Sequence, residues 1–461
     1  MDSFDLIIIG SGSGNAIPEE LADWNIALVE RGTFGGTCLN VGCIPSKMFV
    51  LPADLAVSAR KSDKVGIDLR FEGADWPAIR DRVFGRIDPI AAGGEEYRAT
   101  GTPNVELIRG TARFTGDKTF DVDGRTITGT RVLVATGSRA TMPPIPGLAE
   151  GPDQVRVHTS DTIMRLERLP ERLAVIGGGF IATELGHVFD GYGSEVTLFN
   201  RSNAILRTAD ADISAKFTEV FGRRVNLRLG EVPDRVEAAG DALLIHVGDE
   251  VVEVDEILVA TGRRPNSDLV AAADGGLELH ENGRIRVDDT MATSVDGVWA
   301  IGDVSNAYQL KHLANLEAKV AFWNMAHPDD IKTVDYRAVP QAVFSNPQTA
   351  SVGLTEAQAE AAGHRFVIGR RDYGGTAYGW ALEDNDSFAK VIIDADSGLI
   401  LGAHILGSQA ASLIQPIIQA MQFEQTARAI AEQVFYIHPA LTEVVENALL
   451  AGVEQLDPSV P

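Results

Sequence analysis

The chain holds only two cysteines, and both lie in one stretch, Phe34 to Lys47, which reads "FGGTCLNVGCIPSK". Cys38 and Cys43 stand five positions apart, directly behind a glycine pair. Two thiols at that spacing suit either thiol–disulfide chemistry or metal binding. A tetrahedral zinc site needs four ligands, and no histidine cluster lies near these two, so no metal is expected and redox chemistry leads. In a regular helix, residues five apart are rotated by about 500° and cannot be bridged. A Cys38–Cys43 bond therefore requires a distorted segment ahead of a helix. Gly42 permits the distortion, and Pro45 suits the first turn of a helix starting near Cys43. A strained, accessible disulfide of this kind is reducible, as redox work demands.

The thiols sit inside a nucleotide-binding pattern. Residues 5–10, "DLIIIG", predict a buried parallel strand closed by glycine. "GSGSGN" follows, with Gly10, Gly12 and Gly14, then a short helix-like segment and a second strand, "NIALVE", ending at Glu30. Glycines let backbone amides approach a pyrophosphate, and a carboxylate at Glu30 meets the adenosine ribose. The third glycine of G-x-G-x-x-G is replaced by Asn15, which weakens the fingerprint. The pattern recurs in "LAVIGGGFIATELGHVF", with Gly177, Gly179 and Ala182, and "SEVTLFNR" follows as the second strand. An "ATG" triplet closes each unit, Ala135 to Gly137 and Ala260 to Gly262. The first copy is about 40 residues longer between these marks, and the cysteine stretch lies in that excess. In "VDGVWAIGDV", Asp303 ends a strand where it can bond a ribityl or ribose hydroxyl, although it reads equally well as a helix cap.

These signals predict an α/β chain with two Rossmann-like, doubly wound dinucleotide-binding domains and a C-terminal α+β dimerisation domain. The expected boundaries are 1–155 and 271–335 for the first ligand, 156–270 for the second, and 336–461 for association. With 461 residues and a formal net charge of -25, the chain needs several cores and is a poor partner for nucleic acid. No apolar run is expected to reach membrane-spanning length, and the start "MDSFDLIIIG" does not read as a secretory signal, so a cytoplasmic location is expected.

"GGTCLNVGCIPSK", the paired fingerprints, "ATG", "GDV" and the terminal "HPALTE" together resemble the pyridine nucleotide–disulfide oxidoreductases of the glutathione reductase and dihydrolipoyl dehydrogenase group, along essentially the whole chain. The resemblance implies FAD in the first site, NADPH or NADH in the second, and a homodimer whose active sites draw on both chains. By resemblance, Gly36, Thr37, Lys47 and Ala112 join Gly10, Gly12, Gly14, Glu30, Gly137 and Asp303 around FAD. Gly177, Gly179, Phe180, Ala182 and Gly262 belong to the nicotinamide nucleotide, Phe180 in the position of an aromatic gate. Cys43 becomes the flavin-side sulfur and Cys38 the interchange thiol. Lys47 and Glu184 match an ion pair near the flavin. His438 and Glu443 match the pair that shuttles a proton to the leaving thiolate.

Asn200 and Arg201 end the second strand of the second fingerprint and Arg207 follows, where guanidinium groups favour the 2′-phosphate of NADPH. For the substrate, no extra cysteines serve mercury or thioredoxin. Glu19 and Glu20 stand where glutathione reductases carry arginine for substrate carboxylates. "GSGSGN", "RVFGRIDPI", "HTSDTIMRL" and "AYGWALED" resemble the members that reduce mycothiol disulfide, whose thiol carries no carboxylate. Dihydrolipoyl dehydrogenase or another small-disulfide reductase remains an alternative, as does a redox-sensing flavoprotein switched by Cys38 and Cys43.

Overall fold

A computed structural model describes residues 2–148 and 156–460. The expected boundary at 155/156 falls at the edge of a segment, 149–155, outside the described residues, as do the two chain ends, residues 1 and 461.

The strand Asp2–Ile9 lies between Ile26–Glu30 and Arg125–Val134, parallel to both. Leu6, Ile7 and Ile8 are fully buried, as a continuous apolar run in a sheet covered on both faces requires. Val105–Arg109 extends this sheet in parallel at one edge, and an antiparallel pair, Ala112–Gly116 and Thr119–Val122, extends it at the other. Val298–Ala300 returns to pair in parallel with Arg125–Val134, which brings the "GDV" turn to the same sheet. A second sheet is parallel throughout, in the order Asn226–Leu229, Glu195–Asn200, Arg172–Ile176, Glu256–Val259, Val157–His158. The antiparallel meander Arg235–Ala239, Ala242–Val247 and Glu250–Val254 is inserted before its Glu256–Val259 strand. The C-terminal five-stranded sheet is wholly antiparallel, and the helix Thr442–Val453 lies against its edge strand Phe366–Asp372.

Two expectations need correction. After the first glycine turn the chain forms only two short 3-10 turns, Ser13–Asn15 and Glu19–Leu21, the second led by Pro18. The second fingerprint opens a full helix, Phe180–Tyr192. Too few residues separate Asn15 from the next strand to build a comparable helix around a proline. Asn15 is held from elsewhere: Arg98 Nε donates to its Oδ1 at 2.7 Å and Arg98 Nη2 to its backbone oxygen at 2.9 Å.

The second correction concerns Gly36–Arg60, which is long and apolar enough to cross a membrane by length and composition. It is interrupted at Val41–Gly42 into the helices Gly36–Asn40 and Cys43–Arg60. The longer helix packs against Phe180–Tyr192, and Phe49 stacks on Trp76 with 5.1 Å between centroids. Its apolar residues serve an internal core on that side, while Leu51 and Leu55 remain exposed on the other.

The C-terminal sheet is tied to the second nucleotide fold by one buried cation. Lys390, 1% exposed, reaches Asp210 at 3.0 Å, Asp212 at 2.8 Å and Glu356 at 2.6 Å. Burial opposes its charge, but the three carboxylates outweigh burial and raise its pKa.

Candidate active site

A cleft of about 420 Å³ opens at the carboxyl ends of the first sheet's parallel strands. Its wall contains Gly10, Gly12, Glu30, Gly36, Thr37, Cys38, Cys43, Ala112, Gly137 and Asp303. Of the residues expected around the first ligand, Gly14 and Lys47 lie outside that wall. Gly14 faces inward, where an added Cβ would come within 2.9 Å of Ile8 and Ala135.

The "ATG" triplets have a structural cause. Gly10 has φ +108°, and a Cβ there would stand 2.4 Å from the Ala135 carbonyl oxygen. Gly177 repeats the arrangement at φ +132°, 2.2 Å from the Ala260 oxygen. Only glycine lets the turn close on the neighbouring strand in either copy. Glu30 fastens the first turn to the cysteine segment. Its carboxylate accepts from Ser11 N, Ser11 Oγ and Gly32 N at 2.7–2.9 Å, and Gly35 N donates to Ser11 Oγ at 2.8 Å. Asp303 accepts from Ser138 Oγ at 2.5 Å, and Glu317, fully buried, accepts from Gly302 N at 2.7 Å and from Asn306 and Tyr336. Burial raises the Glu317 carboxyl above its ordinary range. Two buried polar atoms of the wall, Thr136 Oγ1 and Asn40 Oδ1, have no protein partner. Unsatisfied buried groups beside a glycine cradle fit a polar, extended ligand such as FAD.

Cys43 begins the helix Cys43–Arg60 and is exposed; Cys38 is half-buried in the preceding turn of helix. Both are free thiols. The hydrogen bond from Cys38 is the largest influence on Cys43 and, with the Lys47 charge, lowers it to about 7 against burial and Glu184. The same hydrogen bond, then burial, raises Cys38. The pair is therefore asymmetric, with Cys43 the more acidic of the two thiols. Lys47 Nζ lies 2.8 and 2.7 Å from the two Glu184 oxygens, and Glu184, buried on Phe180–Tyr192, also accepts from Phe344 N at 2.9 Å. This carboxylate thus joins the cysteine helix, the second nucleotide fold and the residue that follows Pro340–Val343, the first strand of the C-terminal sheet.

At the second fingerprint, Ala182 is buried and Phe180 is exposed at the head of its helix. Leu206 N donates to Gly178 O at 2.7 Å, so the 201–207 loop folds back on the glycine turn. Asn200 spends both amide hydrogens on Ser202 O and Ala204 O. Arg201 and Arg207 are exposed and make no ion pair among the described residues. His438 Nδ1 lies 2.7 Å from Glu443 Oε1 with its ring largely exposed, and neither residue lines the cleft.

Glu19 and Glu20 are exposed on their 3-10 turn and do not line this cleft. Lys311, Glu317 and the Asn15–Arg98 tie were not anticipated. For Glu317 and Lys311 the available signal was a charge placed among apolar positions of the helix following "GDV"; nothing local marks Arg98.

Residues 4–325 match the pyridine nucleotide-disulphide oxidoreductase family, and residues 339–449 match that family's dimerisation domain. The chain belongs to this family and is a flavoprotein disulfide oxidoreductase with FAD and NADPH as cofactors. Its dimerisation domain supports a homodimer. Mycothione reductase of Mycobacterium tuberculosis is 46% identical over 98% of this chain and 99% of its own. Dihydrolipoyl dehydrogenase of Chlamydia muridarum is 33% identical over 98% and 97%. The solved structure of an HOCl-induced flavoprotein disulfide reductase from Escherichia coli superposes with a TM-score of 0.85 at 26% identity, covering 98% of this chain and all of that one.

Proposed function

We propose that this protein is a cytoplasmic, NADPH-dependent reductase of mycothiol disulfide. The observation that carries this reading is the end-to-end 46% identity to mycothione reductase. The thiol asymmetry is consistent with the chemistry. FAD and NADPH, when bound, deliver the electron pair that opens the Cys38–Cys43 disulfide.

Gly10, Gly12, Glu30, Gly36, Thr37, Ala112, Gly137 and Asp303 would hold FAD, with Gly14 shaping the turn from behind. Gly177, Gly179, Phe180, Ala182 and Gly262 would hold the nicotinamide nucleotide, with Arg201 and Arg207 on its 2′-phosphate. Lys47 and Glu184 fix the cysteine helix against the second nucleotide fold.

The exchange follows from the thiols. Cys38 gives its proton to His438 of the partner subunit and attacks one sulfur of the substrate disulfide, breaking the S–S bond, forming a mixed disulfide and releasing one thiolate. His438 of the partner subunit, held by its Glu443 neighbour, supplies that thiolate with a proton. Cys43, as thiolate, then attacks the Cys38 sulfur, restoring the internal disulfide and releasing the second thiolate, which takes a proton from water. Two protein thiols are oxidised and one substrate disulfide becomes two thiols. The exposed His438 outside its own chain's cleft supports service to the partner's site.

The test is NADPH oxidation with mycothiol disulfide, glutathione disulfide and lipoamide at equal enzyme concentration. The expected preference for mycothiol disulfide is at least about a hundredfold in kcat/KM. Comparable turnover of glutathione disulfide or lipoamide would remove the substrate assignment.

A further inference from the structure

The two glycine fingerprints are finished differently. In the second, Gly179 leads the helix Phe180–Tyr192, whose N-terminus supplies free amides and positive potential for a pyrophosphate. In the first, the turn Ser13–Asn15 is only 3 residues long, and no comparable helix follows to hold it. The turn still belongs to a ligand wall, because Gly12 and Ser13 line the cleft. Other parts of the chain fix its place. Gly14 packs on the sheet beneath, where a Cβ would reach Ile8 and Ala135 at 2.9 Å. From the helix Lys311–Ala326, Lys311 Nζ donates to Ser13 Oγ at 2.9 Å, and that hydroxyl donates to Asn315 Oδ1 at 3.1 Å. From the helix Trp76–Thr100, Arg98 Nε donates to Asn15 Oδ1 at 2.7 Å and Arg98 Nη2 to Asn15 O at 2.9 Å.

Resting on the reading of this cleft as the FAD site, we propose that Arg98 is a positioning residue for FAD, holding the Gly12–Asn15 turn in the shape that a following helix would otherwise impose. Arg98 lies outside the cleft wall and acts through Asn15. Two donors of one planar guanidinium on two acceptors of one residue fix that residue's orientation as well as its distance. One of the acceptors is backbone, so the grip reaches the turn itself. The other exists only because Asn15 stands where the fingerprint has its third glycine, which offers no side-chain oxygen. The departure from the motif and the missing helix are therefore one adaptation. The same helix also steadies the far side of the wall. Its Gly94 lies against the Phe34 ring, where a Cβ would stand 3.3 Å away, and Phe34 O accepts from Asn40 Nδ2 at 2.8 Å. Phe34 leads directly into Gly35, Gly36 and Thr37, which line the cleft with Asn40.

The experiment reads cofactor retention. FAD release from diluted holoenzyme is followed by the rise of free-flavin fluorescence, and NADPH affinity is titrated on the same preparations. Arg98→Met is expected to release FAD about tenfold faster, the loss of a charge-assisted contact, while NADPH affinity stays within about threefold of the parent. Asn15→Gly restores the fingerprint glycine but removes one acceptor, and is expected to speed release about threefold. The two changes break the same contact, so together they should do little more than Arg98→Met alone. Release from Arg98→Met at the parent's rate overturns the proposal. So does full additivity in the double variant, or an equal weakening of FAD and NADPH, the mark of a general loss of structure. Where Arg98→Met does not fold, Asn15→Gly is read alone, and parent-like release from it overturns the proposal equally. Gly36→Ala tests the site separately, since its Cβ would meet the Gly12 Cα at 2.7 Å. FAD held by that variant as tightly as by the parent would remove the cleft as the FAD site, a failure distinct from that of Arg98.

Discussion

Replacing Arg201 and Arg207 together by glutamine should convert a protein that prefers NADPH into one nearly indifferent between NADPH and NADH. Both guanidinium groups are exposed and uncommitted, on a loop fastened to the glycine turn by the Leu206–Gly178 hydrogen bond. Asn200, at the strand end where a carboxylate would bond a ribose hydroxyl, contributes no charge and turns its amide hydrogens into the loop. A charge-assisted hydrogen bond contributes about 1.5–3 kcal/mol where it is desolvated, and an exposed site takes the lower end of that range. Two such contacts give about 3 kcal/mol, or roughly a hundredfold at 1.4 kcal/mol per factor of ten. The assay is kcat/KM for each donor at fixed disulfide, in parent, single and double variants. NADPH should lose roughly a hundredfold in the double variant and about tenfold in each single, while NADH changes by less than about threefold. Equal losses with both donors, or no loss with NADPH, would refute the reading of these arginines.

In the reduced protein, Cys43 should ionise around pH 7. Lys47→Met removes the cation that favours its thiolate, so the far-UV thiolate absorbance should develop only at higher pH; an unchanged midpoint would contradict the role of Lys47. Mixing Cys38→Ser chains with His438→Ala chains should produce heterodimers with one intact site and partial activity. Heterodimers that form but stay inactive would contradict a site shared between subunits. Lys390→Met leaves the buried Asp210 without its cation and should cost about 3–5 kcal/mol, with much of the loss recovered by adding Asp210→Asn. Because the Lys390 pKa is raised by folding, its contribution is complete at neutral pH and declines only as pH rises through that raised value. Thermal unfolding across pH checks both statements, and a Lys390→Met midpoint equal to the parent's would contradict them.

The redox pair, the paired nucleotide folds and the antiparallel C-terminal sheet were legible because each has a local signature. The cysteine spacing excludes a regular helix, and the observed break at Val41–Gly42 lies where Gly42 and Pro45 place it. The two "ATG" triplets mark the strand end that each first glycine must touch. The features that escaped are long-range. No residue near Asn15 announces that Arg98, on the helix Trp76–Thr100, will hold it in place of a helix turn. The short helix-like segment expected after the first glycine turn is a pair of 3-10 turns, and Glu19 and Glu20 stand exposed on the second, which Pro18 leads. Lys311 and Glu317 share one helix, yet one lines the cleft and the other is buried behind the "GDV" turn. That division depends on how the helix docks against two other segments, which spacing alone does not encode.

Exchange of Cys38 with mycothiol disulfide can be trapped on the protein. Reduced Cys43→Ser protein, incubated with mycothiol disulfide and examined by intact mass and peptide mapping, lacks the sulfur that would release the adduct. One mycothiol half per chain is expected, in disulfide linkage to Cys38 and removed by reductant. No adduct on Cys38, or equally rapid loading from glutathione disulfide, would contradict it.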